Sequence, residues 1–179
     1  VAGAGYHPFA RALHWITALL VLGLIGLGLW MVDLPISRTK LLAFAWHKWI
    51  GLTVLSLTVL RLLWRWYAPP PPLPHTVEPW HRRLSAISHG LLLTLLLAMP
   101  VSGWLMSSAG GVTVYWFGYL QLPDLVERDQ LTFKMLLNLH HQLAWLLIGV
   151  LVVHVLAVVH HDVVRRDGVF RRMWLFTRR

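Results

Sequence analysis

The sequence predicts an all-α integral membrane protein, a four-helix bundle, and three observations carry that expectation. Hydrophobic residues make up 57% of the chain and charged residues only 13%, where a soluble domain has about 25% charged. Four apolar stretches, at about 12–32, 42–66, 84–106 and 136–160, interrupt the polar remainder. Each is long enough to cross a hydrocarbon core of ~30 Å, which takes about 20 helical residues. The basic residues behind the formal charge of +9 cluster beside those stretches, and the 11 tryptophans suit the two bilayer interfaces.

Taken in order, the first stretch has the length of a signal peptide's apolar core. His14 within it, the lack of an A-x-A site and the immediate second stretch argue for a span instead. The second stretch ends before Pro69-Pro70-Pro71-Pro72-Leu73-Pro74, a stiff polyproline II connection in which no helix continues. The third contains Pro100, tolerated because membrane helices accommodate a missing donor. A loop from Ser107 to about Phe133 precedes the fourth, and its Tyr115-Trp116-Phe117 is expected on the membrane surface. There is no internal repeat, so residues 1–179 read as a single transmembrane domain.

Composition also excludes chemistry. With no cysteine there is no disulfide, iron–sulfur cluster, thiolate zinc site or covalent C-x-x-C-H haem attachment. Basic charge beside apolar segments speaks for membrane topology and against nucleic acid as a partner. One end of the bundle collects Arg11, Arg61, Arg65, Arg82, Arg83, Arg165, Arg166, Arg171, Arg172, Arg178 and Arg179 against Glu78, Asp162 and Asp167. The other end has five basic residues against four acidic ones. The positive-inside rule then places both termini in the cytoplasm.

Ionisable side chains inside a span are costly and mark function by default. His140 and His154 are 14 residues apart on the fourth stretch, which puts them on one helix face about 21 Å apart along the axis. His141 faces about 140° away from His154 and is not the expected ligand. One metal ion cannot bridge such a gap, since imidazole binds at ~2 Å; two haem groups at different depths can. The antiparallel order of spans sets His14 level with His154 and His47 level with His140. These pairs predict two haem b groups, each with two neutral imidazole ligands, an arrangement suited to electron transfer because no open position is left. Gly51, one turn after His47, leaves room for a flat macrocycle.

Arg61 follows His47 by 14 residues and has two readings: partner of a haem propionate, or a side chain snorkelling to the interface. His89 and His161 fall near the same end of the bundle and together could hydrogen-bond a quinone carbonyl; the alternative for His89 is an interfacial histidine facing water.

These pieces resemble the bacterial cytochrome b561 family of di-haem membrane proteins. They are Tyr6 eight residues before His14-Trp15, His47-x-x-x-Gly51, Val59-Leu60-Arg61, His89 with Pro100-Val101-x-Gly103, His140, His154, His161, and Asp167-x-x-x-x-Arg172-Met173. The resemblance spans nearly the whole chain and rests on order and spacing. It implies that His14, His47, His140 and His154 ligate haem iron and that His161 belongs to a quinone region. In one branch it implies a superoxide:ubiquinone oxidoreductase of the bacterial inner membrane, which passes electrons from periplasmic superoxide to ubiquinone. Arg38, Lys40 and Lys48 are then candidates for steering the superoxide anion. The alternative is a cytochrome b subunit that links a periplasmic dehydrogenase or hydrogenase, as electron donor, to the quinone pool. A non-redox transporter is disfavoured by four histidines matched in depth.

Overall fold

In the computed structural model, which describes residues 5–71 and 78–174, four long helices account for most of the chain. They are α1 (Pro8–Val32), α2 (Arg38–Tyr67), α3 (Pro79–Ala109) and α4 (Gln130–Val159), and all four are long and apolar enough to cross a membrane. Their starts are chemically marked. His7 accepts from the Phe9 N–H ahead of Pro8, Ser37 accepts from Lys40, and Asp129 accepts from Thr132, each satisfying an orphan donor of the first turn. Prolines open α1 and α3, where a missing N–H costs nothing.

The helices outrun the apolar stretches at several ends, because capped and charged turns continue them beyond the apolar residues. α2 stops at Tyr67, ahead of Pro69. Pro72, Leu73 and Pro74, the far part of the expected polyproline connection, lie outside the described residues, as do Arg178 and Arg179. The loop before α4 contains a small hairpin that sequence patterning does not announce, with β1 (Tyr115–Trp116) paired antiparallel to β2 (Leu120–Gln121). Phe117 and Gly118 at its turn have φ of 50° and 77°. A glycine fits that backbone, whereas Phe117 is held there against its preference.

Packing is thin by soluble standards, and large apolar side chains such as Leu19, Trp30, Leu63, Val153 and Leu156 are exposed on all sides. That is a lipid-facing surface: a helix apolar all round belongs in a membrane. The shared core is one layer at mid-depth, where Val21, Val54, Leu95 and Leu147 meet, one from each helix. Lipid tails are as apolar as these side chains, so the layer holds by close contact and not by water exclusion. Stepping seven residues from it along α1 gives His14 or Gly28; along α2, His47 or Arg61; along α4, His140 or His154. On α3, Ser102 and His89 lie seven and six residues away. Two helical turns rise about 10 Å. A polar layer therefore lies on each side of the apolar one, about 10 Å from it.

At the end of the bundle that carries both termini, α4 passes into a π-helical segment, His160–Arg165, and the chain turns back through a short 3-10 turn at Phe170–Arg172. Tyr6 N–H donates to the Arg172 carbonyl at 3.2 Å, Trp15 Nε1 to the Met173 carbonyl at 2.9 Å and Arg11 Nη1 to the Trp174 carbonyl at 2.7 Å. The tail thus seals the start of α1.

Candidate functional site

In the layer away from the termini, α2 and α4 present His47 and His140 with ring centres 6.5 Å apart. Two metal–nitrogen bonds of about 2 Å, plus about 1 Å from each nitrogen to its ring centre, span ~6 Å. One iron between two imidazoles fits that separation. Both rings are backed by glycine: a Cβ added at Gly28 would sit 3.1 Å from His47 Cε1, and one at Gly103 would sit 3.2 Å from His140 Cε1. Nothing lies within 4 Å of a Cβ added at Gly51, so the space beside His47 is open on that side.

Hydrogen bonds fix the His140 tautomer. Ser102 Oγ donates its one proton to the Met99 carbonyl at 2.8 Å and stands 2.9 Å from His140 Nδ1. With its proton spent, the hydroxyl can only accept, so Nδ1 carries hydrogen and Nε2 carries the free lone pair. A metal-ligating histidine is commonly oriented in this way. His141 faces outward, exposed, and accepts a hydrogen bond from Trp145 Nε1 at 3.0 Å.

The layer near the termini holds His14, His89, His154 and Arg61 within electrostatic range of one another. The ring contact of His154 is with His89, centre to centre 5.3 Å, while Ser85 Oγ lies 3.2 Å from His89 Nδ1. His89 is therefore placed beside a candidate ligand. Arg61 stands among these histidines, and among the described residues no carboxylate pairs with it. A cation among these rings is placed where an anionic group such as a propionate would be neutralised.

The fit to haem rests on these features together. His14 Nδ1 and His47 Nδ1 are buried without a hydrogen-bond partner, which is expensive unless a bound group completes the environment. Among the described residues, no group of three or more His, Cys, Asp or Glu could hold a bare metal ion. α4 carries two candidate ligands yet has a single buried residue, Leu147.

His161 lies one further seven-residue step past His154, on the π-helical segment. Its Nδ1 is 2.5 Å from Asp167 Oδ2, and its ring centre is 5.8 Å from that of His81. His89 and His161 thus have different immediate partners. His81 stacks on Trp80 and stands 3.7 Å from Glu78, whose carboxyl is held below the usual carboxylate range by the Trp80 indole N–H and then by Arg165. At the opposite end Arg38 is exposed, while Lys40 donates to the Val32 and Leu34 carbonyls at 3.1 and 2.7 Å and so caps α1. Lys48 is half-buried. Of the three steering candidates only Arg38 is exposed.

Sequence reasoning assigned no role to Gly28, Ser102, His81 or Asp167. The seven-residue step from His14 through Val21 to Gly28 is a signal for the first. Ser102 and His81 act through contacts between distant segments and leave no periodic trace, while Asp167, part of the tail pattern quoted above, reaches His161 six residues away only through the turn between them.

Residues 5–175 match the family described as prokaryotic cytochrome b561. The chain is 34% identical over 170 residues to an Escherichia coli (strain K12) protein named cytochrome b561 homolog 2, covering 94% of this chain and 90% of that protein. It is 26% identical over 178 residues to a Yersinia pestis protein named probable superoxide oxidase CybB, covering 94% of each.

Proposed function

Because the chain belongs to the prokaryotic cytochrome b561 family of haem b membrane electron-transfer proteins, we propose that it binds two haem b groups and moves electrons from periplasmic superoxide to ubiquinone. The observation that carries this reading is the pair of inward histidine layers on either side of one apolar layer. His47 and His140 hold the group away from the termini, and His14 and His154 hold the one near them. Two haem b groups, when bound, supply one-electron carriers at two depths of the same bundle. Ser102 keeps His140 in the tautomer that offers Nε2. Arg61 neutralises a propionate in the second layer. Gly51 keeps a macrocycle-sized space open beside His47.

The charge imbalance between the two ends supports cytoplasmic termini in a bacterial inner membrane. That orientation sets His47 and His140 toward the periplasm and His161 toward the cytoplasm. Superoxide as donor rests on likeness to the Yersinia protein named probable superoxide oxidase, with Arg38 at the entry side. Ubiquinone as acceptor is supported by His161 and His89, two nitrogen-bearing rings where the second layer meets the terminal surface. The rival, a subunit that receives electrons from a periplasmic dehydrogenase or hydrogenase, is favoured by the hairpin, whose Tyr119 is 95% exposed at the donor end.

The test is stopped-flow reduction of the purified, haem-loaded protein by superoxide, with and without a short-chain ubiquinone. Both haems should reduce, then re-oxidise when quinone is present. Salt should slow the first step through screening over ~8 Å at physiological ionic strength. If superoxide reduces the haems no faster than it decays alone, the oxidase reading falls and the docking subunit replaces it.

A further inference from the structure

His161 and Asp167 meet where α4 gives way to the tail. The ladder of seven-residue steps along α4 (140, 147, 154) lands next on His161, but here the helix has widened to π geometry, a local change often found at functional sites. The turn that follows brings Asp167 back over the ring. Asp167 Oδ1 accepts from the Val169 N–H at 3.1 Å, which leaves Oδ2 for His161 Nδ1. Both side chains are mostly shielded, at 18% and 12% exposure. The charged and titratable groups facing His161 are Asp167 from the tail, His81 from α3 and His160 beside it, with Glu78 and Arg165 behind His81.

We infer that Asp167 is a positioning residue that commits His161 to act as a proton donor to a reduced two-electron acceptor. This rests on the proposed quinone reduction at that end of the bundle. An ionised carboxylate only accepts hydrogen bonds, so Nδ1 always carries hydrogen. In the neutral ring Nε2 is then a lone-pair acceptor. A quinone carbonyl is also only an acceptor, so the two meet productively only when Nε2 is protonated. The ring then carries a positive charge, which the adjacent carboxylate balances.

Reducing one quinone to quinol takes two electrons and two protons. The electrons arrive singly, from two oxidations of the donor. For each proton the Nε2–H bond breaks, an O–H bond forms on a quinone oxygen and the ring returns to neutral. A proton from solvent reloads it, with His81 and the exposed Glu78 on the aqueous side. No further oxidant or reductant is needed.

Asp167→Asn separates this role from a merely structural one. The amide oxygen still accepts from Val169. The amide nitrogen now donates to Nδ1, which moves the ring hydrogen to Nε2. Such a ring can hydrogen-bond a carbonyl but cannot release its proton without becoming an anion. Re-oxidation of pre-reduced haems by a short-chain ubiquinone should therefore lose about 100- to 10,000-fold in kcat, the scale of a lost positioned proton donor, with KM within about twofold. Haem content and haem midpoint potentials should be unchanged. In His161→Ala, added imidazole should restore part of the rate by diffusing in as the donor. If His161→Ala slows re-oxidation and Asp167→Asn does not, the inference is wrong while quinone reduction at this end stands. If Asp167→Asn loses haem, or raises KM without lowering kcat, Asp167 is a structural clip and the inference is equally wrong. If His161→Ala itself has no effect, the placement of quinone falls and the inference with it.

Discussion

Replacing Gly103 by alanine should loosen the haem held by His47 and His140 while sparing the other. The added Cβ lies 3.2 Å from His140 Cε1, where carbon atoms settle at about 3.5–4.0 Å. The ring must therefore yield by roughly 0.3–0.8 Å. It cannot simply retreat, because Ser102 Oγ stands 2.9 Å from Nδ1. Metal–ligand distances tolerate about 0.2 Å, so the displacement exceeds what a bond to iron absorbs. Overpacking of this kind costs about 1–3 kcal/mol, which corresponds to roughly 5- to 150-fold weaker haem retention. Pyridine haemochrome assay after dialysis should fall from two haem b per chain toward one, and the low-spin spectrum should lose one component. Gly28→Ala, whose Cβ would press His47 from the α1 side at 3.1 Å, should do the same. An unchanged stoichiometry and spectrum in both variants would refute the claim that these rings bear a constrained bond to iron.

Two further outcomes follow from the same geometry. His47→Ala or His140→Ala should remove one haem and His14→Ala or His154→Ala the other, each seen by difference spectroscopy, whereas His141→Ala, on the outward face, should remove neither. A reporter fused at the C-terminus should be active only if it is a cytoplasmic reporter, given eleven basic residues at that end against five at the other; activity of a periplasmic reporter would reverse the donor and acceptor sides.

The helices were legible because their signals are local. Apolar length alone marked the spans; the prolines at Pro8 and Pro79 and the caps at Ser37 and Asp129, which set the helix starts four to six residues earlier than the apolar stretches, were not read. The level of His47 with His140 was legible for a different reason: antiparallel helices of regular rise convert residue number into depth. The partner of a side chain within its layer was not legible. His89 lies equally near the interface in any register count, yet its ring meets His154 because α3 and α4 pack closely. The hairpin at Tyr115–Gln121 escaped because two-residue strands carry too little alternation to detect, and Phe117 is an unusual occupant of positive φ. Asp167 escaped because its meeting with His161 depends on a turn through the left-handed Arg166 and Gly168.

The two ends of the bundle differ in a way that bears on the direction of electron flow. Among the described residues, the hydrogen bonds around His47 and His140 are those of Ser102 with His140 and with the Met99 carbonyl, and the titratable neighbour of His140, His141, faces outward. Around His154 the groups continue outward: His89 with Ser85 one helical turn along α3, His81 one turn beyond that, and Glu78 at the boundary, with His161 and Asp167 alongside. An electron donor such as superoxide gives up its electron without needing a proton from the protein. A quinone cannot be reduced to quinol without two. The end rich in proton-holding groups is therefore the one suited to the acceptor, and the end poor in them is suited to the donor. The contrast in proton-holding groups does not use the positive-inside count, which bears only on the side of the membrane where the termini lie, and it favours the proposed placement of the acceptor at the end that carries the termini.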